Sequence, residues 1–376
     1  MHTDQNFQKD IEFLHTYTKT HVLKSPDNAA AQVIVTPEYQ GRVMTSTSGG
    51  NTGNSYGWVN YELIKSKESQ KHINAYGGED RFWLAPEGGQ FSVYFDQGAP
   101  FEFKNWQTPA VIDTESFDVI ASGANFIQFS KDAILKNHSG TQFKIHIQRQ
   151  VKMLTNQQIQ EILKVKDLTG LQLVGYESVN ELVNVGANWD LKSGTLGIWI
   201  LGMFKPSEKT AIIAPTQPGH SNGDGLTADY FGAIPKERLL VSDKAVVLRA
   251  DGKYRSKIGL TANATTSIAG SYDPEKGILT VVAFDLDKQE KYLKSTWELH
   301  ADPYDGDALN AYNDGPLEDG SQMGPFYELE SNSFTRALKF GEKLVHRHKT
   351  IHIEGDKAEL EKIAKALFGI SIQNIF

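Results

Sequence analysis

Apolar positions recur at steps of three and four chiefly near the two ends of the chain. Phe7, Ile11, Leu14 and Tyr17 share one helical face, which predicts a helical segment within residues 1–24. Leu360, Ile363, Ala364 and Leu367 form a second stripe. Asp356, with Glu359 three residues on, reads as a capping-box start, and Gly369 stands where a left-handed residue ends a helix, so a C-terminal helix is predicted over 356–369. Between these ends the period is two. Phe143, Ile145 and Ile147 alternate with Lys144, His146 and Gln148, predicting a half-buried strand over 143–151, and Phe91, Val93 and Phe95 repeat the pattern. Val246 to Leu248 runs into Asp251-Gly252 and then Tyr254 to Ile258, a hairpin signal. Tyr272-Asp273-Pro274 and Gly277 punctuate the chain before the run Ile278 to Leu286. Residues 156–168 suggest one short internal helix. No fixed-period repeat, low-complexity tract or linker interrupts the series. The expectation is a single all-β domain over 1–376, a large antiparallel sandwich with short helices at the N- and C-termini.

Composition narrows the function. Of 376 residues, 39 % are hydrophobic and 22 % charged, enough to build a core and too apolar for general disorder. Lys and Arg number 38 against 46 Asp and Glu, a net charge of −8 that opposes nucleic acid or an anionic membrane surface as partner. Cysteine is absent, which removes disulfides, thiolate nucleophiles and Cys-type metal sites. The longest apolar run, Leu196 to Phe204, is nine residues and too short to span a bilayer. The N-terminus carries no signal-peptide pattern, which favours the cytoplasm over the periplasm. No phosphate-binding glycine loop occurs, so no nucleotide cofactor is expected.

Four stretches carry candidate chemistry. In MGPFYELESNS, Glu328 and Glu330 share a strand face, and two adjacent carboxylates raise one another's pKa, the tuning a general acid or base needs. The competing reading is a solvated polar face with Tyr327 and Leu329 turned to the core. In LVHRHKTIHI, His346 and His348 also share a face, a geometry usable by a metal ion or simply solvated on an edge strand. The aspartate-rich stretch Asp302 to Asp314, with Asp305, Asp307, Asn310 and Asn313, offers oxygen ligands to calcium or is a loop of turn formers. Aromatics including Trp58, Tyr76, Trp83, Trp189, Trp199, Trp297, Tyr304 and Tyr312, with Arg81, suit stacking on sugar rings and bidentate binding of hydroxyls, or belong to the core. The G-x-S-x-G at Gly53 to Gly57 follows a polar loop and reads as a turn rather than a nucleophile elbow.

The order of several segments resembles the galactose mutarotase-like (aldose 1-epimerase-like) β-supersandwich family, in an uncharacterised bacterial branch. The carrying residues are QGRVMTSTSGG, YGGEDRFWLAPEGGQFSVYF from Tyr76, NELVNVG followed by GTLGIWILGMF, then WELHADPY, YNDGPLEDGSQMGPFYELESNSF and Phe340-Gly341-Glu342. They span most of residues 30–355. The resemblance implies a cofactor-independent epimerase chemistry at the anomeric carbon. Glu330 would be the base, with Glu328 raising its pKa, and Arg81 would bind sugar hydroxyls with Arg42 in the same groove. Trp83, Trp199, Trp297, Tyr304 and Asn313 would line that groove for a mono- or oligosaccharide. The mid-chain strand histidine of such enzymes has no counterpart in ANWDLKSGTLGIWIL. His220 and His300 are the nearest in sequence, and His300 is the acid candidate. A binding protein without turnover is the alternative, and a metal enzyme built on His346 and His348 is the third reading.

Overall fold

A computed structural model describes residues 6–220, 223–373 and 375. The chain opens with helix α1 (Phe7–Tyr17), capped by Asn6, whose side chain accepts from the Lys9 N–H at 3.1 Å. Strands β1 (His21–Lys24), β2 (Gln32–Thr36) and β3 (Arg42–Thr47) then form a small antiparallel sheet. Helix α2 (Tyr61–Ser66), strand β4 (Arg81–Ala85) and the short helix α3 (Ala110–Asp113) lead into the long strands β5 (Asp118–Ser122), β6 (Phe126–Lys136) and β7 (Gln142–Met153). After α4 (Asn156–Leu163) come β8 (Gln172–Asn184), β9 (Gly197–Phe204), β10 (Ala211–Pro215), β11 (Leu226–Thr227), β12 (Leu239–Val241) and β13 (Ala245–Arg249). The last third holds β14 (Ser256–Thr261), β15 (Ile268–Asp273), β16 (Ile278–Phe284), β17 (Asp307–Asn313), β18 (Tyr327–Asn332), β19 (Lys343–Glu354) and helix α5 (Lys357–Phe368).

Two large sheets result. One has ten strands in the order β12-β13-β10-β15-β16-β19-β8-β7-β6-β5, the other six in the order β11-β14-β17-β18-β9-β4. Neighbouring strands in both pair antiparallel. The sheets pack face to face because each contributes alternating apolar positions to shared clusters. Phe204, Ile258 and Leu329 of the smaller sheet meet Ile212, Val246 and Val282 of the larger one. Phe82, Ile198 and Ile200 join Phe129, Ile145 and Ile147 likewise. Each such side chain, fully buried, contributes about 1.5–3 kcal/mol. On its other face the ten-stranded sheet is covered by α4 and α5, whose Ile159, Leu163, Leu360 and Ile363 pack on Leu279, Val281, Ile351 and Ile353. The all-β supersandwich expectation matches this architecture.

Several local expectations do not survive. Asp251-Gly252 is not a hairpin turn: β13 before it pairs with β10 and β12, while β14 after it pairs with β11 and β17 in the other sheet. The segment crosses between layers. Phe91, Val93 and Phe95 do not form a strand, and the stretch is irregular although all three are buried. Their alternation serves packing over the smaller sheet, not strand pairing. The stretch 302–314 is not one loop, since Asp307–Asn313 is a central strand. The internal helix stops at Leu163, with Lys164 in the left-handed region, and carries the one fully formed capping box among the described residues, Thr155 with Gln158. Asp356 precedes α5 but makes no side-chain cap, whereas Gly369 closes that helix at φ 70° as expected. The helical stretch expected within 1–24 spans only Phe7–Tyr17, and His21–Lys24 is strand. Its residues 1–5 lie outside the described ones.

Arg149 on β7 is buried where the three sheets meet. Its Nε donates to the Gly41 carbonyl at 3.1 Å, its Nη1 to Asn180 Oδ1 on β8, and its Nη2 to both the carboxylate (2.6 Å) and the carbonyl (3.1 Å) of Asp80. Asp80 directly precedes β4. The two glycines before it make this approach feasible. Gly77 and Gly78 sit at φ 94° and 110°, and a Cβ on Gly77 would stand 2.1 Å from the Trp58 carbonyl. A buried pair of this kind adds little net stability, but losing one partner strands the other charge, at a cost of about 3–5 kcal/mol. Arg149→Met is therefore expected to lower the unfolding free energy by about that amount in urea titrations. An unchanged midpoint would show that the clamp carries no weight.

Candidate functional site

Strand register arranges the outward face of the six-stranded sheet as a grid. Arg81, Leu201, Glu330 and Asn310 are directly paired across β4, β9, β18 and β17. One row along, Met203, Glu328, Tyr312 and Lys257 are paired across β9, β18, β17 and β14. In the row on the other side, Trp199 pairs with both Trp83 and Asn332. Residues two apart on a strand share a face, so these three rows project together, while Tyr327, Leu329 and Ser331 point into the sandwich.

The grid is not a solvated surface. Glu330 is 0 % exposed, Arg81 2 % and Glu328 6 %. Two irregular segments are tied together beside it, one after β4 and one before β17. Glu87 accepts from Trp297 Nε1 at 3.2 Å, and Gln90 and His300 exchange two hydrogen bonds at 2.9 and 3.0 Å. Trp106 stacks between Tyr94 and Trp297 at centroid distances of 6.2 and 5.8 Å, while Trp83 meets Trp199 edge-on at 5.6 Å.

Charges pair tightly inside this shell. Arg81 donates to Glu328 at 2.6 Å and lies 4.5 Å over the Trp83 ring. Glu330 Oε2 accepts from Trp199 Nε1 at 3.0 Å and Lys257 Nζ at 3.1 Å. Burial pushes Glu328 up to about 7; Arg81 opposes this and Glu330 reinforces it. Burial pulls the Lys257 ammonium down, yet Glu330, Glu87 and Glu328 outweigh it and hold its pKa above the ordinary value. Burial also raises Glu87, Asp113 and Asp307. Several buried atoms here have no partner: Glu330 Oε1, Arg81 Nε and Nη1, Trp83 Nε1 and Trp106 Nε1.

Of the residues singled out in the sequence, the fold brings together Glu328, Glu330, Arg81, Trp83, Trp199, Asn310 and Tyr312, with Trp297 alongside through Glu87. Arg42 is buried beside them, donating to the Gly77 carbonyl (2.9 Å) and Gln40 Oε1 (3.0 Å), and burial with the nearby Arg81 lowers its pKa to about 9. His300 does not join the carboxylates. Its ring packs on Gly89, and Nε2 engages the Thr296 carbonyl at 3.0 Å, so it braces its own turn. Tyr304 donates to the Leu191 carbonyl at 2.7 Å, away from the grid. Asn313 accepts from the Gly252 N–H at 2.8 Å and donates to the Tyr254 carbonyl at 2.9 Å, pinning the crossover between sheets. His220 lies in a turn closed by its own N–H on the Gln217 carbonyl.

His346 and His348 point between the sheets, both at 2.8 Å from Ser331 Oγ. Burial lowers their pKa values to about 3 and 4, so both are neutral. Among the described residues no group of three or more His, Asp or Glu is placed to hold a metal ion. In the aspartate-rich stretch, Asp302 caps the Tyr304 N–H and Asp314 accepts from Tyr312 at 2.6 Å. Ser55 of the G-x-S-x-G is hydrogen-bonded to Thr45 and Asp10 in a turn with no helix directly after it. Among the described residues no helix is long and apolar enough to cross a membrane.

Sequence reading missed Lys257, Glu87 and Tyr230, and took Asp307 only for a calcium ligand or a turn former. Lys257 sits between Ser256 and Ile258 in an ordinary alternating strand, and nothing local marks it as the partner of Glu330. Tyr230 donates to Asp307, and Asn310 Nδ2 lies 3.2 Å from that carboxylate.

No curated protein sequence matches the chain. Solved structures do match in fold. A putative aldose 1-epimerase from Escherichia coli K12 superposes with a TM-score of 0.54 at 10 % identity, covering 90 % of this chain and 100 % of that one. The Slr1438 protein of Synechocystis sp. PCC 6803 gives 0.52 at 12 % identity, covering 90 % and 96 %. A galactose mutarotase-like protein from Lactobacillus casei ATCC 334 gives 0.50 at 10 % identity, covering 89 % and 100 %. At these identities the likeness establishes a galactose mutarotase-like fold. The profile of a family described as of unknown function, DUF6786, matches residues 5–376, and the chain belongs to that family.

Proposed function

We propose that the outward face of the six-stranded sheet binds a carbohydrate, with Glu330 as the central acceptor. The observation that carries this is the set of unpartnered buried polar atoms on one grid: a carboxylate oxygen, two guanidinium nitrogens and an indole N–H. Leaving a buried polar group unpaired costs about 1–3 kcal/mol, more for a charged one. A sugar hydroxyl both donates and accepts, so one polyhydroxylated ring answers Glu330 Oε1 and Arg81 together. Trp83 and Trp199 supply the apolar faces that C–H groups of the ring require. The fold shared with a putative aldose 1-epimerase supports the same reading.

Glu328 favours a second step, anomer exchange without a cofactor. With its pKa near 7 it carries a proton over much of the neutral range. Glu330 would take the proton from the anomeric hydroxyl as C1=O1 forms. The C1–O5 bond breaks, and Glu328 gives its proton to O5. Rotation of the aldehyde and reversal of the transfers yield the other anomer. Glu328 thus fills the acid role, for which no histidine is suitably placed among the described residues.

Calorimetry against a panel of neutral mono- and disaccharides tests the binding. Glu330→Gln is expected to weaken the sugar that binds by about 2–5 kcal/mol, with the circular dichroism spectrum unchanged; full retained affinity would contradict the proposal. Polarimetry of fresh α-glucose and α-galactose tests the exchange, which Glu328→Gln should abolish while binding persists.

Glu328 also links pH to stability. Its folded pKa of about 7 exceeds the unfolded value, so its contribution is fully present below about 4.5 and is lost as pH rises through about 7. Urea midpoints should fall across that window more steeply for the parent than for Glu328→Gln. Parallel curves would place the Glu328 pKa in the ordinary range.

A further inference from the structure

The opposite face of the same two strands borders a cavity unrelated to the Glu330 grid. It has a volume of about 920 Å³ and lies where the ends of β9, β15 and β18 meet the segment 52–62 and the start of β16. Phe204 and Tyr327 line it. They alternate with Met203 and Glu328, so the sheet itself separates this cavity from the carboxylate grid.

Most polar groups on its wall are already satisfied by the protein. His352 uses both ring nitrogens, on Thr280 Oγ1 at 2.9 Å and Glu79 Oε2 at 3.0 Å. Tyr327 shares a hydrogen bond with Ser271 at 2.7 Å, and the Tyr56 hydroxyl is held by Ser48 and Glu354. Lys205 is neutralised by Asp10 at 3.0 Å. Asp273 is the exception. Its Oδ1 accepts from Ser207 Oγ at 2.7 Å and from the Glu275 N–H at 2.9 Å, but Oδ2 has no partner although the residue is only 6 % exposed. A buried carboxylate oxygen in this state demands a hydrogen-bond donor.

The walls specify the rest of the ligand. Tyr56, Tyr61, Phe204 and Tyr327 offer aromatic surface, with Pro206 and Pro325 also lining the cavity. Glu62 and Asp273 on one side and Lys276 on the other line the wall, with Lys205 already paired to Asp10, so a ligand of either charge meets a like charge. A neutral ring with hydroxyl donors on its edge and C–H groups on its faces satisfies all of these demands. We infer that this inter-sheet cavity is a second, separate carbohydrate site, anchored by Asp273 Oδ2 and walled by Tyr56, Phe204 and Tyr327. It does not rest on the Glu330 reading and shares no residue with it.

The test uses the full-length protein carrying Glu330→Gln, probed by ¹H–¹⁵N NMR with glucose, maltose, cellobiose and lactose, and with inorganic phosphate and choline as charged controls. Two further variants report on the cavity. Asp273→Asn keeps an oxygen for the Oδ1 bonds while replacing the free acceptor by an NH₂ group. Lys276→Trp places a large ring at the mouth from an exposed turn position, where folding is not at stake. The expected result is that at least one sugar shifts resonances around Asn54, Tyr56 and Lys276, and that each variant weakens it at least tenfold. The inference is overturned if no sugar shifts those resonances, if both variants bind as the parent does, or if phosphate or choline binds there in place of the sugars. Sugar shifts confined to Trp83 and Trp199 in the protein without Glu330→Gln would likewise overturn it while leaving the Glu330 reading intact.

Discussion

The contact between Arg149 and Asp80 sets the geometry on which the candidate site depends. Arg149 stands on the ten-stranded sheet, Asp80 at the edge of the six-stranded one, and the Gly41 carbonyl directly before β3 of the small sheet. Fixing Asp80 fixes its neighbours. Glu79 turns toward Ser46 and His352, while Arg81 begins β4 and reaches Glu328 on the outward face. Three consecutive charged residues thus bury in three different networks. Two left-handed glycines make the sharp approach possible, since any side chain on Gly77 would strike the Trp58 carbonyl.

A sandwich interior this polar is costly, and much of the cost is offset by pairing, although His348 Nε2 and Asp80 Oδ2 stay open. His346 and His348 share Ser331, His352 lies between Thr280 and Glu79, and Arg149 satisfies each nitrogen of its guanidinium. Against that background the exceptions gain meaning. Glu330 Oε1, Arg81 Nε and Asp273 Oδ2 are left open in a protein that closes most such groups. The first two lie among tryptophans on the outward face of the six-stranded sheet, and the third lies at the end of β15 beside the cavity.

Much of the fold is legible in the sequence because strand alternation is a local property. Phe143, Ile145 and Ile147 mark their strand directly, and Glu328 and Glu330 necessarily share a face. Alternation does not say which sheet a strand joins. Asp251-Gly252 therefore looked like a hairpin although its flanking strands lie in different layers, a choice made by distant packing of Ile258 and Leu260 on Val246 and Leu248. Phe91 to Phe95 alternate for a different reason, as irregular backbone presenting aromatics to Trp297 and Tyr304. The carboxylates and Arg81 of the candidate site were legible through their order in the chain. Lys257 was not, because an ion pair between residues 73 positions apart leaves no local signature. His300 was suggested as one of the histidines nearest in sequence to the missing mid-chain one, and its ring braces a turn instead.

The most direct test of sugar binding at Glu330 is a crystal structure of the protein soaked with the neutral sugar that binds it best. A pyranose ring is expected on the outward face of the six-stranded sheet, with a hydroxyl within hydrogen-bond distance of Glu330 Oε1, another on Arg81, and a ring face against Trp83 or Trp199. Sugar density that avoids Glu330, with ordered water filling its open oxygen, would contradict it.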